Sequence, residues 1–253
     1  MRDKSTVILG CGEIGSAIEK LCRMAYQDVV CDDIKFEKVN TPQHDVESLH
    51  ICIPGTIEEF INIAANKIKK YNPEIVFIHS TTYPGATDYL INIFGSDRIV
   101  HSQCHGKHKN GSMIADMLKY PKFVATSSYH AYRKAKEILL DMGYSKDKII
   151  QISSPIAGEL CKILATSLYG YMIHFANMVK DIAINNKLNY NELMQFTRLE
   201  TDDFDIRTKV PGLIGGHCVI PNIEILKDFS DDAIWLSILY NNEVMECEKK
   251  KQS

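Results

Sequence analysis

From Ser5 to about Ile152, short apolar runs alternate with longer stretches of helical periodicity. Thr6–Leu9, Val29–Cys31, Leu49–Ile53, Ile75–Ile78, Arg98–Val100, Phe123–Ala125 and Ile149–Gln151 read as strands, being short, apolar and rich in β-branched residues. Between several of them lie helical patterns, among them Ile57–Lys70 and His130–Met142. Strands that alternate with helices predict a parallel sheet covered on both faces. The pattern changes at Ser153-Ser154-Pro155. A long helix is predicted from Ile156 to Asn185, with Leu160, Ile163, Leu164, Leu168, Tyr171, Met172, Phe175, Val179 and Ile182 apolar on more than one side. Asn189 suits the N-cap of a shorter helix through Phe196, and a final helix is expected from Asp231 to about Glu248. The fold class is thus α/β: a Rossmann-type doubly wound parallel sheet over residues 1–153, then a mostly helical domain over residues 154–253.

Composition narrows the function without naming it. A net charge of only -3 gives no electrostatic reason to expect nucleic acid or an anionic membrane as partner. No run reaches the ~20 apolar residues of a membrane span. The start, Met1 to Ser5, passes straight into a strand, so no signal peptide is expected. The eight cysteines are scattered and none forms a C-x-x-C pair, which disfavours a disulfide framework or structural zinc and points to a reducing cytoplasm.

The first strand runs into Gly10-Cys11-Gly12-Glu13-Ile14-Gly15, the G-x-G-x-x-G dinucleotide fingerprint in its strand–turn–helix setting. Gly10 permits the tight turn, Gly12 lets a pyrophosphate approach the backbone, and Gly15 allows close helix–strand packing. Glu13 and Ile14 fill the turn. Asp32, at the end of the second strand, is placed to bind ribose hydroxyls and repel a 2′-phosphate, so NAD is expected over NADP. Asp33 is the rival if that strand ends one residue later. A ligand-free Gly-rich turn and an S-adenosylmethionine site are the competing readings.

Four further segments point the same way. Ile51-Cys52-Ile53-Pro54, Ser80-Thr81-Thr82-Tyr83-Pro84-Gly85, Glu159-Leu160-Cys161-Lys162 and the loop Pro211-Gly212-Leu213-Ile214-Gly215-Gly216-His217-Cys218-Val219-Ile220-Pro221 follow in order. Together they resemble the I-C-V-P, S-T-V-P-P-G, E-x-x-K and P-G-x-x-G-G-H-C-I-P motifs of the UDP-glucose/GDP-mannose (nucleotide-sugar) dehydrogenase family. The resemblance implies NAD-dependent oxidation of a sugar primary alcohol to a carboxylate in two hydride transfers, with a thiol attacking the intermediate aldehyde and a thioester then hydrolysed. It implies Cys218 as nucleophile, Lys162 as oxyanion stabiliser, Thr81 as a residue placing water, and Pro54 and Thr81 beside the cofactor. It also implies a homodimer built on the long helix and a nucleotide sugar as small-molecule substrate. Thr166 stands where the family has Asn, and Asn222 where it has Asp. Ser102–His108 replaces an acidic segment, and the family continues into a second nucleotide-binding domain beyond this chain.

Blander roles compete: Cys218 as a buried loop thiol, Lys162 as a helix lysine paired with Glu159, and His105, His108 and His217 as ordinary loop histidines. No metal site is expected, because no third ligand accompanies the histidines. Three functions follow: a thiol-dependent NAD oxidoreductase, a β-hydroxyacid-dehydrogenase-like enzyme using Lys162 alone, and a non-catalytic dinucleotide-binding subunit.

Overall fold

The computed structural model describes residues 2–36, 39–105, 113–203, 209–215 and 218–252. The chain divides into two compact units, Met1–Lys162 and Ile163–Ser253. The expected boundary after Ser153 falls just before the long helix, whose first turns belong with the sheet.

The first unit is a seven-stranded sheet. Its strands are β1 (Arg2–Leu9), β2 (Tyr26–Asp32), β3 (Val46–Ile51), β4 (Ile75–Ile78), β5 (Ile99–His101), β6 (Lys122–Ala125) and β7 (Ile149–Ile152). They lie in the order β2-β1-β3-β4-β5-β6-β7. All neighbours are parallel except β5 and β6, which meet antiparallel at His101 and Ala125. The sheet is thus mostly parallel, as expected, with one antiparallel junction between β5 and β6. From β1 the chain crosses to β2 and returns to the other side of β1 at β3, so the order reverses beside β1. That is the switch point at which open α/β sheets bind ligands, off the carboxyl ends of the strands.

Side-chain alternation builds two cores. Ile8, Phe77, Val100 and Val124 pack against α1 (Glu13–Ala25), α4 (Met113–Lys119) and α5 (Tyr129–Asp141) on one face. Val7, Leu9, Leu49, Ile51, Val76 and Ile78 pack against α2 (Ile57–Tyr71) and α3 (Ala86–Phe94) on the other. Each such side chain contributes roughly 1.5–3 kcal/mol by leaving water. Thr56 starts α2 with a reciprocal capping box to Glu59.

The helix α6 (Pro155–Asn185) has 31 residues. Gly158 lets its start press on the sheet, since a Cβ there would lie 2.3 Å from Ala125 Cβ. The second unit continues through α7 (Tyr190–Asp203), α8 (Val219–Phe229) and α9 (Ala233–Gln252). Asn189 caps α7 as expected, its Oδ1 accepting from Asn191 N at 2.8 Å. Its core joins Ile173, Ile214, Val219, Ile223 and Ile238. Among the described residues, no helix is long and apolar enough to cross a membrane.

Candidate functional site

The Gly10–Gly15 turn lies at the switch point, and each glycine has a separate reason to be there. Gly10 has φ +84°, and a Cβ on it would sit 2.7 Å from Cys52 O and 2.8 Å from Ile53 Cγ2. A Cβ on Gly15 would lie 1.8 Å from Gly10 O, so only hydrogen allows α1 to approach the turn so closely. Gly12 has ordinary extended angles, φ -70° and ψ -159°, and a Cβ there would meet nothing within 4 Å. It is the N-cap of α1 and supplies no side-chain acceptor to the first N–H groups. An uncapped helix start facing open space suits a phosphate group, which would accept from those N–H groups and meet the positive end of the dipole. Glu13 lies exposed in the first turn of α1, and Ile14 packs partly against the core.

Asp32, the last residue of β2, and Asp33, the first beyond it, face different ways. Asp32 is buried, and its Oδ2 accepts from Lys67 Nζ at 2.5 Å and Tyr71 OH at 2.6 Å, both on α2. Burial alone would raise its pKa, but the hydrogen bonds and charge of Lys67 and the Tyr71 hydroxyl outweigh this and hold it below the usual value. Asp33 sits beside the turn: Oδ2 accepts from Cys11 N at 2.6 Å, and Oδ1 from Lys35 N at 2.9 Å. Those backbone N–H groups lower its pKa.

Pro54 is exposed three residues past the end of β3, and Ser80 Oγ donates to Ile53 O at 2.7 Å. Thr81 is exposed, while Thr82 turns inward. Glu159 holds this segment. Only 1% exposed, it accepts from Thr82 Oγ1 at 3.1 Å, Gly85 N at 2.6 Å, Thr87 N at 2.9 Å and Thr87 Oγ1 at 2.6 Å. A buried carboxylate needs such compensation. The result ties the start of α6 to the Ser80–Gly85 loop. Lys162, one turn beyond Glu159, is half-buried and donates to Cys104 O at 3.3 Å. Partial desolvation of its ring and the charge of Lys162 hold His105, otherwise exposed, below its usual pKa. Glu159 carried only a pairing role with Lys162 in the sequence reading. Its burial and four donors are the signal that it anchors the loop instead.

The remaining expected residues belong to the second unit. Cys218 is exposed and forms the N-cap of α8. It is not a packed core thiol. Asn222 is buried one turn further on, its N–H donating to Cys218 O at 3.3 Å. Thr166 is half-buried on α6. Gly170 allows α8 to lie close on α6, because a Cβ there would come within 2.8 Å of Val219 Cγ1 and Ile223 Cδ1. Two residues absent from the sequence reading clamp the glycine-rich loop. Gly212 N donates to Asn177 Oδ1 at 2.6 Å, and Asn177 Nδ2 donates back to Gly212 O at 3.0 Å. Ile214 N donates to Asn242 Oδ1 at 2.8 Å. Gly216, His217 and His108 lie outside the described residues. Among the described residues, no group of three His, Cys, Asp or Glu side chains is placed to hold a metal.

No family model matches the chain, and no curated protein matches it in sequence. Solved structures do match. A UDP-N-acetyl-mannosamine dehydrogenase from Staphylococcus aureus aligns with TM-score 0.77 at 14% identity, covering 98% of this chain and 70% of that one. A UDP-glucose dehydrogenase from Pyrobaculum islandicum aligns with TM-score 0.70 at 17% identity, covering 96% and 68%. A 3-hydroxyisobutyrate dehydrogenase from Mycobacterium tuberculosis aligns with TM-score 0.64 at 14% identity, covering 90% and 86%. The chain therefore has the fold of the nucleotide-sugar dehydrogenases over nearly its whole length and about 70% of theirs, as its motifs led one to expect.

Proposed function

We propose that this chain is an NAD-dependent dehydrogenase acting on a CH–OH group, with a nucleotide sugar as the preferred substrate class. The observation that carries the reading is the Gly12 turn: open space at an uncapped helix N-terminus, at the switch point, beside the Asp33 carboxylate. These residues fit a dinucleotide. The N–H groups at the start of α1 take the pyrophosphate, and Asp33 takes the ribose hydroxyls. We assign the ribose to Asp33 rather than Asp32 because Lys67 and Tyr71 already occupy the Asp32 carboxylate. Bound there, NAD would supply the acceptor for a hydride from the substrate carbon. Lys162 stabilises the alkoxide that develops as the hydroxyl proton leaves. Cys218 adds to the resulting aldehyde as a thiohemiacetal, which would lose a second hydride to a second NAD and so become the thioester, and Thr81, with Asn222 and Thr166, places the water that hydrolyses the thioester to the acid and returns the thiol.

The fold match to 3-hydroxyisobutyrate dehydrogenase, which this chain covers to 86% of its length, favours a second reading in which Lys162 acts without a thiol. Calorimetric titration with NADH and NADPH, followed by NADH formation across nucleotide sugars, free sugars and hydroxy acids, tests both. Absence of NADH binding rejects the dehydrogenase altogether. Turnover of hydroxy acids alone selects the second reading.

A further inference from the structure

A line of polar side chains runs through the apolar layer on the α1 and α5 face of the sheet. His50 and His79 are buried and stacked, with His50 against Phe77 at 4.7 Å between ring centroids. His79 Nδ1 lies 2.6 Å from Ser102 O, so this nitrogen carries the proton and donates. His79 Nε2 therefore accepts from His50 Nδ1 at 2.9 Å. Burial lowers both rings, His50 to about 3, so both are neutral at pH 7.

Lys122 ends this line and is 2% exposed. Its Nζ donates to Ser102 O at 2.7 Å, Gln103 O at 3.1 Å and Cys104 Sγ at 3.5 Å. An ammonium has three N–H groups, and here they meet two carbonyls and a thiol. No carboxylate is among the partners of Lys122 within the described residues, which is unusual for a lysine so far from water. Burial depresses its pKa and so favours the neutral, nucleophilic amine. Cys104 is 6% exposed and precedes the exposed His105, so its sulfur is one residue from solvent-facing chain.

We propose that Lys122 and Cys104 form an oxidisable pair, which peroxide joins through a covalent Nζ–O–Sγ bridge. One peroxide molecule oxidises the thiol to sulfenic acid and leaves as water. The amine and the sulfenic acid then lose two hydrogens to a second peroxide, which becomes two water molecules. The sulfenic oxygen is retained between nitrogen and sulfur. At 3.5 Å nitrogen and sulfur are in non-bonded contact, and a bridge with one intervening atom asks for a smaller approach than a direct S–N bond does. The held amine competes intramolecularly with further oxidation of the sulfur. This chemistry is independent of the assigned dehydrogenase reaction. It bears on that site because the Cys104 carbonyl accepts a hydrogen bond from Lys162.

The test treats the full chain with hydrogen peroxide, alkylates free thiols, digests without reductant and reads the peptides by tandem mass spectrometry. The expected product joins the Cys104 and Lys122 peptides, heavier than their sum by one oxygen and lighter by two hydrogens, and dithiothreitol separates it. Cys104→Ser and Lys122→Met, each checked for folding by circular dichroism, lose the linked product. In Lys122→Met, Cys104 proceeds to sulfinic acid. Three results in the wild type overturn the proposal: Cys104 found as sulfinic or sulfonic acid with Lys122 unmodified, Cys104 in a disulfide, or Cys104 still a thiol after exposed Cys161, Cys218 and Cys247 have oxidised.

Discussion

Adding one methyl group at each of the three fingerprint glycines separates folding from binding. At Gly10 the added Cβ requires φ +84°, which costs an L-residue about 1–2 kcal/mol, and it meets the Cys52 carbonyl oxygen at 2.7 Å. Overpacking against a central strand adds about 1–3 kcal/mol. Gly10→Ala is therefore expected to lose about 2–5 kcal/mol, lowering Tm by roughly 5–20 °C for a chain of this size. Gly15→Ala is at least as severe, because its Cβ would lie 1.8 Å from a backbone oxygen that cannot swing aside. Gly12→Ala meets no protein atom within 4 Å and keeps allowed angles. Its weaker N-cap preference and its reduced unfolded-state entropy nearly cancel, so its stability should stay within about 1 kcal/mol of wild type. The same methyl fills the space assigned to the pyrophosphate. NADH affinity should fall at least a hundredfold, or about 2.7 kcal/mol. Thermal melts by circular dichroism and calorimetric NADH titration read the two effects separately. A folded Gly12→Ala that binds NADH as wild type does refutes the cofactor assignment, and a Gly10→Ala as stable as wild type refutes the turn geometry.

Four other outcomes are expected. Asp33→Asn should narrow the preference for NADH over NADPH by about tenfold at near-normal stability, whereas Asp32→Asn should leave the preference intact; comparative titrations decide, and the reverse pattern returns the ribose to Asp32. Asp32 has a folded-state pKa below the ordinary 3.8, so its stabilisation is complete above that value and is lost as pH falls through the folded pKa; Asp32→Asn should cost about 2 kcal/mol at pH 7 and flatten the acid limb of the stability curve below about pH 4. Cys218→Ala should abolish acid formation while leaving NADH binding unchanged; undiminished turnover selects the lysine-only reading. Leu164, Leu168, Tyr171, Phe175, Met178 and Ile182 are exposed along one stripe of α6 at alternating spacings of four and three, the pattern of a helix-pairing seam; sedimentation should show a dimer that Leu168→Glu dissociates, and a wild-type monomer at micromolar concentration rejects it.

What the sequence made legible follows from what periodicity encodes. β4 was legible as Ile75–Ile78 because a strand buried on both faces is a continuous apolar run between turn signals. The long helix was legible because its apolar positions recur over many turns. α8 was not, because its chain begins inside a motif read for its chemistry and carries Pro221 in its first turn, where proline is tolerated. The reversal of β6 was also hidden. Val124 and Ala125 look the same to a period-two pattern whichever way the strand runs, and direction is set by how the connection through α4 returns.

The acidic residues show why motif spacing places a site more coarsely than it places a fold. Asp32 and Asp33 are adjacent and chemically identical, and the fingerprint spacing admits either. Asp32 closes β2 facing α2, and Asp33, just past the strand end, turns to the Gly-rich turn instead. What decides between them is charge carried by a different element. Lys67 and Tyr71 come from α2, more than thirty residues later, and they claim whichever carboxylate faces them. A carboxylate engaged by an ammonium and a phenol in a buried setting would lose both partners by turning to a ribose, at a cost no pair of hydroxyls restores. Asp33 spends only backbone N–H contacts and keeps lone pairs toward the turn. Under the proposed function the ribose therefore follows the carboxylate that α2 leaves free, and with it would go the negative charge that repels a 2′-phosphate.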